Sequence, residues 1–285
     1  MKPRSRAVLV VGMHRSGTSA VARGLQALNV YLGDNFLDAQ PENPTGYWED
    51  KGIVELNERV LTTLGLRWDS VAPIARNDFG RFRIWRLRAK AARYVKRTFG
   101  SQPLWGFKDP RTIRLLPFWR RLLRDSHVDD TYVVVIRNPL SVAASLFRRQ
   151  AMDVATAQRL WLVHMVPYLR DLRDTPMIVV DYDLLMREPR SQLERIARTL
   201  SAPSRDETNL GEIDRFTADF LDETLRHTVF SPSDFEATTN ASRLTKDAFL
   251  LLYDLATDRL EPNAPTFWSA WERIEREFMN TSSSS

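Results

Sequence analysis

The sequence predicts an α/β fold: a P-loop-like, mostly parallel sheet flanked by helices, followed by a helical C-terminal part. Three observations predict it. Four short apolar runs rich in β-branched or aromatic residues each end in polar residues. Helical segments separate the runs, and strands alternating with helices build a parallel sheet covered on both faces. The first run leads directly into a glycine loop that opens a helix.

Ala7-Val8-Leu9-Val10-Val11 reads as the first core strand. Met1-Lys2-Pro3-Arg4-Ser5-Arg6 is basic like the start of a signal peptide, but the apolar stretch behind it is short and ends in the loop. That loop is Gly12-Met13-His14-Arg15-Ser16-Gly17-Thr18-Ser19. Its Gly-x4-Gly frame turns strand into helix, and the backbone N–H groups of such a turn attract an anion. An ATP or GTP loop has Lys before its Ser/Thr; here Thr18 stands there, and the cation is Arg15 inside the loop. The loop therefore suits a phosphate-like group outside ordinary ATP chemistry. Val21, Leu25 and Leu28 give the following helix an apolar face.

A basic helix is predicted over 82–97, with Ile84, Leu87, Ala91 and Tyr94 at helical spacing. It reads as a solvated face, or as one that attracts an anionic acceptor such as an acidic glycan or a lipid headgroup. Leu104-Trp105-Gly106-Phe107 is the second strand and leads into Lys108-Asp109-Pro110-Arg111. Thr131 to Ile136 is the third and leads into Arg137-Asn138-Pro139. Asn138 and Pro139 supply the N-cap and first position of a helix through Arg149. Met177 to Val180 is the fourth and leads into Asp181-Tyr182-Asp183. Ser201 to Asn209 reads as a polar loop. Phe267, Trp271, Ile274 and Phe278 form a stripe expected in the core. Residues 1–279 are expected to form one domain, with 280–285 a disordered low-complexity tail.

With 43% hydrophobic residues in 285, the chain can bury a substantial core. A net charge of +5 suits anionic ligands and allows peripheral contact with an acidic membrane surface. The chain has no cysteine, which excludes disulfides and thiol catalysis. Its four His lack metal-ligand spacing, so no metal is expected. No apolar run reaches transmembrane length, and a cytoplasmic location is expected. No RNA- or DNA-reading motif occurs, so no nucleic-acid partner is expected.

Ligands of open parallel sheets bind beyond the carboxyl ends of the strands, where the polar residues gather here. Arg137, with Ser141 and Ser145 four apart on one helical face, can clamp a second anion. One loop for each anion implies a ligand with two separated anionic groups. At this point the chain resembles the sulfotransferases that use 3′-phosphoadenosine 5′-phosphosulfate. Arg15-Ser16-Gly17-Thr18-Ser19 is similar to their 5′-phosphosulfate loop, and Arg137 to Ser145 has the Arg-x7-Ser spacing of their 3′-phosphate element. Lys108-Asp109-Pro110 lies between, closest to bacterial members and tyrosylprotein sulfotransferases.

The resemblance implies roles. Arg15 would neutralise the bridging oxygen and the leaving phosphate. Ser16, Gly17, Thr18 and Ser19 would hold the 5′-phosphosulfate, and Arg137 and Ser145 the 3′-phosphate. Lys108 would reach the transferred group. Sulfuryl transfer, like phosphoryl transfer, runs through a loose in-line transition state stabilised by position and positive charge, with less need of a divalent metal. The acceptor base stays open among Glu49, within Pro44-Thr45-Gly46-Tyr47-Trp48-Glu49-Asp50, then Asp109, then His14. Tyr47 and Trp48 are either an acceptor wall or core, and the apolar residues between Asn35 and Trp85 are assigned to the acceptor side. With no secretory signal, the expected acceptor is a glycan, lipid or small-molecule hydroxyl rather than a protein tyrosine. Nothing in the sequence sets an oligomeric state.

Two other readings compete. An atypical P-loop small-molecule kinase would use Asp181 for magnesium, against which Thr18 in the Lys position counts; Asp181 otherwise reads as structural. A non-catalytic module would bind nucleotide, nucleic acid or membrane through the basic surface.

Overall fold

Each predicted strand forms, because each run is apolar on both faces and is closed by a capping or turn residue. The computed structural model describes residues 4–39, 46–200, 207–219 and 232–283. β1 (Arg6–Gly12) is followed by α1 (Thr18–Ala27), α2 (Lys51–Thr63) and α3 (Phe82–Phe99). Next come β2 (Leu104–Lys108), α4 (Leu116–Asp125), β3 (Asp129–Ile136), α5 (Pro139–Gln150) and α6 (Val154–Leu169). β4 (Met177–Asp181) leads into α7 (Tyr182–Arg187) and α8 (Pro189–Thr199). The remainder is α9 (Glu207–Asp219), α10 (Pro232–Ala237), α11 (Arg243–Ala256) and α12 (Pro265–Ser283).

The sheet is entirely parallel in the order β2-β1-β3-β4. The chain steps from β1 to β2 on one side and returns to β3 on the other, so the order reverses beside β1. A crevice opens there at the carboxyl ends of the strands. Alternation along β1 divides the core. Ala7, Leu9 and Val11 face one layer, built from α2, α3, α4, α6, α11 and α12. Val8 and Val10 face the other, built from α1, α8 and α9. α6 is buried along nearly its whole length, as befits a helix apolar all round.

Asn138 caps α5 by accepting from Leu140 N at 3.0 Å, with Pro139 at the first position. The stripe Phe267, Trp271, Ile274 and Phe278 is buried. Among the described residues, no helix is long and apolar enough to cross a membrane.

The structure bears on four further expectations. Of the polar loop at Ser201 to Asn209, residues 201–206 lie outside the described set, and α9 already begins at Glu207. Of the expected tail, residues 280–283 belong to α12, which packs on α6 and α11, and 284–285 lie outside the described residues. Much of the apolar set between Asn35 and Trp85 is core: Ile53, Leu56, Val60, Leu61, Ile74 and Phe79 are buried. Trp48 packs against Phe36 at 5.3 Å, with the Arg23 guanidinium 5.4 Å from its ring, so it leans on the layer around α1.

Two buried polar groups hold elements together. Asp181 Oδ1 accepts from Leu184 N at 3.0 Å and caps α7. Burial, reinforced by the neighbouring Asp183, pushes the Asp181 carboxyl from 3.8 up to about 7. Asn57 of α2 donates to Asp109 Oδ2 (2.9 Å) and Thr112 Oγ1 (3.1 Å), and accepts from Trp119 Nε1 (2.8 Å).

The folded protein retains a proton on Asp181 that the unfolded chain gives up, so this group makes stability fall as pH rises from about 4 to about 7. Asp181→Asn keeps the cap and removes the ionisation. Urea unfolding at several pH values is expected to show the variant gaining on the wild type through that window and holding its gain above it. Asn57→Ala leaves the Trp119 N–H and an Asp109 oxygen buried without a partner. It is expected to cost about 3 kcal/mol, read as a lower urea midpoint at constant m-value.

Candidate active site

The residues singled out by sequence converge on the carboxyl edge of β1, β2 and β3. The glycine loop is shaped by backbone geometry that few residues adopt. Gly17 has φ 83°, and a Cβ there would lie 2.0 Å from Tyr182 Cδ2. Arg15 is left-handed as well, at φ 67°. Gly17 is the N-cap of α1 and supplies no side chain to it. The start of α1 is therefore left without a side-chain cap at Gly17. Ser16 is fully buried, and its Oγ has no hydrogen-bond partner among the described residues; the same holds for Ser141 Oγ at the start of α5. Buried hydroxyls of this kind fit a ligand with anionic oxygens.

The glycine loop and the Arg137–Ser145 element touch. Arg15 Nε donates to Ser145 Oγ at 2.9 Å, and Arg137 Nη1 donates to the Arg15 carbonyl at 3.3 Å. The Arg137 guanidinium lies 4.8 Å from the Tyr182 ring, which fixes its plane. Arg15 thus lies between the loop and the Arg137–Ser145 element, where the sequence had assigned it to the loop alone. On the other side of the loop, Ser19 Oγ donates to the Tyr47 carbonyl at 3.1 Å, tying α1 to the segment that carries Glu49.

Glu49 and Lys108 meet in a buried ion pair, Lys108 Nζ to Glu49 Oε1 at 2.6 Å, with both side chains under a tenth exposed. Lys108 is positioned by β2, opposite Val10 in the sheet. Glu49 is positioned by the next residue, Asp50, which caps α2 by accepting from Ile53 N at 2.9 Å and also accepts from Tyr94 Oη at 2.6 Å. Burial pushes the Glu49 carboxyl up, and the nearby Lys108 charge pulls against it. Asp109 is fully buried and occupied: Oδ1 accepts from Arg111 N and Nη1, both at 2.9 Å, and Oδ2 from Asn57.

His14 packs against Trp68 with ring centroids 4.6 Å apart and planes tilted by 51°, and lies 5.8 Å from His164. Burial, then Arg111, His164 and Lys108, hold the His14 imidazole well below its ordinary pKa, so it is neutral. Trp68 is carried by a loop clamped from below. The Arg114 guanidinium donates to the carbonyls of Ser70 (2.8 Å) and Ala72 (2.7 Å), and Ile74 N donates to Tyr168 Oη at 2.6 Å.

Several of these residues had no role in the sequence reading. Arg111 joins Asp109, Glu58 and, at 3.6 Å, Glu49. Burial alone would lower its pKa, but Asp109, Glu49 and Glu58 outweigh that and raise it. Its only signal was adjacency to Lys108-Asp109-Pro110. Asn57, Arg114 and His164 gave none, and Trp68 is covered only by the general assignment of apolar residues between Asn35 and Trp85 to the acceptor side. Asp181 is engaged in capping α7, which agrees with its structural reading.

The chain matches the sulfotransferase family profile over residues 7–206. No curated protein sequence matches it significantly. Among solved structures it is similar to the sulfotransferase domain of the Synechococcus PCC 7002 olefin synthase, at 20% identity over 91% of this chain and 96% of that one, with TM-score 0.46. The sulfotransferase STF1 of Mycobacterium tuberculosis H37Rv is 15% identical over 86% of this chain and 76% of that one, with TM-score 0.45. A retinol dehydratase in complex with androsterone and inactive cofactor PAP is 13% identical over 97% and 80%, with TM-score 0.34. These likenesses are distant, and it is the profile match, which spans well over half of the sequence, that shows this chain to belong to the sulfotransferase family.

Proposed function

We propose that this enzyme transfers the sulfuryl group of 3′-phosphoadenosine 5′-phosphosulfate to a hydroxyl of a glycan, lipid or small molecule, by in-line displacement and without a metal ion. The observation that carries the reading is the buried Lys108–Glu49 pair at the end of β2, a cation and a carboxylate held together beside the glycine loop. The nucleotide supplies an activated sulfuryl group on a phosphosulfate anhydride. Ser16, Gly17, Thr18 and Ser19 hold its 5′ end through first-turn N–H groups and hydroxyls. Arg137 and Ser145, with Ser141 beside them, hold the 3′-phosphate. Arg15 stabilises the charge that develops on the leaving phosphate, and Lys108 the charge on the transferred oxygens.

Glu49 is the favoured general base. Its carboxyl is pushed up by burial, which brings its basicity closer to what proton abstraction from an alcohol at neutral pH demands. His14 is depressed in the opposite direction and makes a weak base. Asp109 has both oxygens engaged, so it acts as a positioning residue that orients Arg111 and, through Asn57, α2. The kinase alternative has no observation in its favour, since Asp181 is used as a helix cap.

Calorimetric titration with 3′-phosphoadenosine 5′-phosphate, AMP and ATP–magnesium tests the nucleotide site. Tight binding in the presence of chelator that needs the 3′-phosphate is expected; preference for ATP–magnesium would overturn the reading. Arg137→Ala is expected to weaken the bisphosphate about 10–100-fold and to leave AMP unchanged, since it removes a charge-assisted contact to one group only. Lys108→Ala and Glu49→Gln are expected to lower kcat by about 10²–10³-fold. In the wild type, kcat/KM is expected to fall as acid protonates Glu49, with the limb displaced upward from the ordinary carboxylate range; Glu49→Gln should abolish that limb. Wild-type turnover in both variants would remove these residues from the mechanism.

A further inference from the structure

The outward face of α3 carries chemistry that the transfer site does not use. Phe82 and Trp85 are 68% and 53% exposed, and their rings stack at 5.7 Å with 18° between planes. At 100° per residue they lie on the same side of the helix as Arg86, Arg93 and Lys96, with Arg83 at its margin. The opposite side buries Ile84, Ala91, Val95 and Phe99.

The helix contains seven Lys and Arg and no acid, whereas the whole chain has a net charge of only +5. The rest of the molecule is therefore slightly acidic, and the positive field is concentrated on this face. Arg81 and Lys90 are tied to Asp78 and Glu55. Arg83, Arg86, Arg93 and Lys96 make no ion pair among the described residues. Behind them, Arg88 is crowded by Arg121 and Arg124 of α4, with Asp125 as its acidic neighbour; burial first, then Arg121, depress its pKa.

We propose that α3 docks this enzyme on an anionic bilayer leaflet. Phe82 and Trp85 enter the boundary between headgroups and acyl chains, while Arg83, Arg86, Arg93 and Lys96 meet acidic headgroups. An 18-residue helix presents a face about 27 Å long, suited to lying flat in that plane. A soluble polyanion would satisfy the cations alone and leave the stacked aromatic pair in water. The bilayer accounts for both.

Sedimentation of the full-length protein with phosphatidylcholine vesicles, with and without phosphatidylglycerol, tests this independently of turnover. Binding to the mixed vesicles, absent with phosphatidylcholine alone and weakened by salt, is expected. Phe82→Ser/Trp85→Ser should lower partitioning at least about tenfold. Arg83→Gln/Arg86→Gln/Arg93→Gln should lower it about a hundredfold, near fivefold for each cation. All these side chains are exposed, so thermal unfolding of the variants should match the wild type. No sedimentation with either vesicle would overturn the proposal. So would wild-type partitioning of the aromatic variant, most directly if soluble heparin displaced both proteins equally, since the face would then be a polyanion site.

Discussion

The buried contact between Lys108 and Glu49 is the constraint around which the ligand-facing edge of the molecule is arranged. Withdrawing both charges from water costs several kcal/mol per ion, and only close geometry with further hydrogen bonds offsets it. Each element near the pair contributes to that geometry. The register of β2 against β1 fixes the lysine, and the Asp50 cap of α2 fixes the glutamate. Arg111 adds a second cation within reach of Glu49, Asp109 and Glu58. Asn57 then braces α2 against the turn that follows β2. This edge is held from the side by polar bridges between segments far apart in sequence.

The fold was legible because its signals are local. A run such as Val133-Val134-Val135-Ile136 announces a strand, and Asn138-Pro139 announces the helix after it, without reference to anything distant. The glycine loop was legible for the same reason. The parts that escaped are pairings. Glu49 could be nominated as a base, but not as the ion-pair partner of a lysine 59 positions away. Arg111 stood in plain view beside a motif, yet its three carboxylate partners come from three different places. Trp68 and Arg114 are ordinary in sequence and matter only because a loop folds over the glycine turn. The ends of α9 and α12 were not legible for a compositional reason: Ser, Thr and Glu are compatible with both helix and coil, so composition alone does not place the first residue of α9 or the last of α12.

The contact between Arg15 and Ser145 joins the glycine loop to the Arg137–Ser145 element. One guanidinium spans them, and the carbonyl of the same residue accepts from Arg137. A movement of the loop therefore alters the Arg137–Ser145 element through a single residue held in a left-handed conformation. The glycine loop and the Arg137–Ser145 element are thus linked through one residue by hydrogen bonds of 2.9 and 3.3 Å, with no long path through the core.

The clamp by Arg114 is indifferent to side chains. Its guanidinium holds main-chain oxygens of Ser70 and Ala72, and the Tyr168 hydroxyl holds a main-chain N–H at Ile74. The stretch that brings Trp68 over His14 is thus gripped largely by its peptide backbone. Exposed side chains there, such as Ala72, can be exchanged without touching these main-chain bonds, whereas Ile74 is core and Ser70 Oγ accepts from Arg67 N. Under the proposed function, this loop is where a new acceptor preference could be drafted with the Lys108–Glu49 pair left intact.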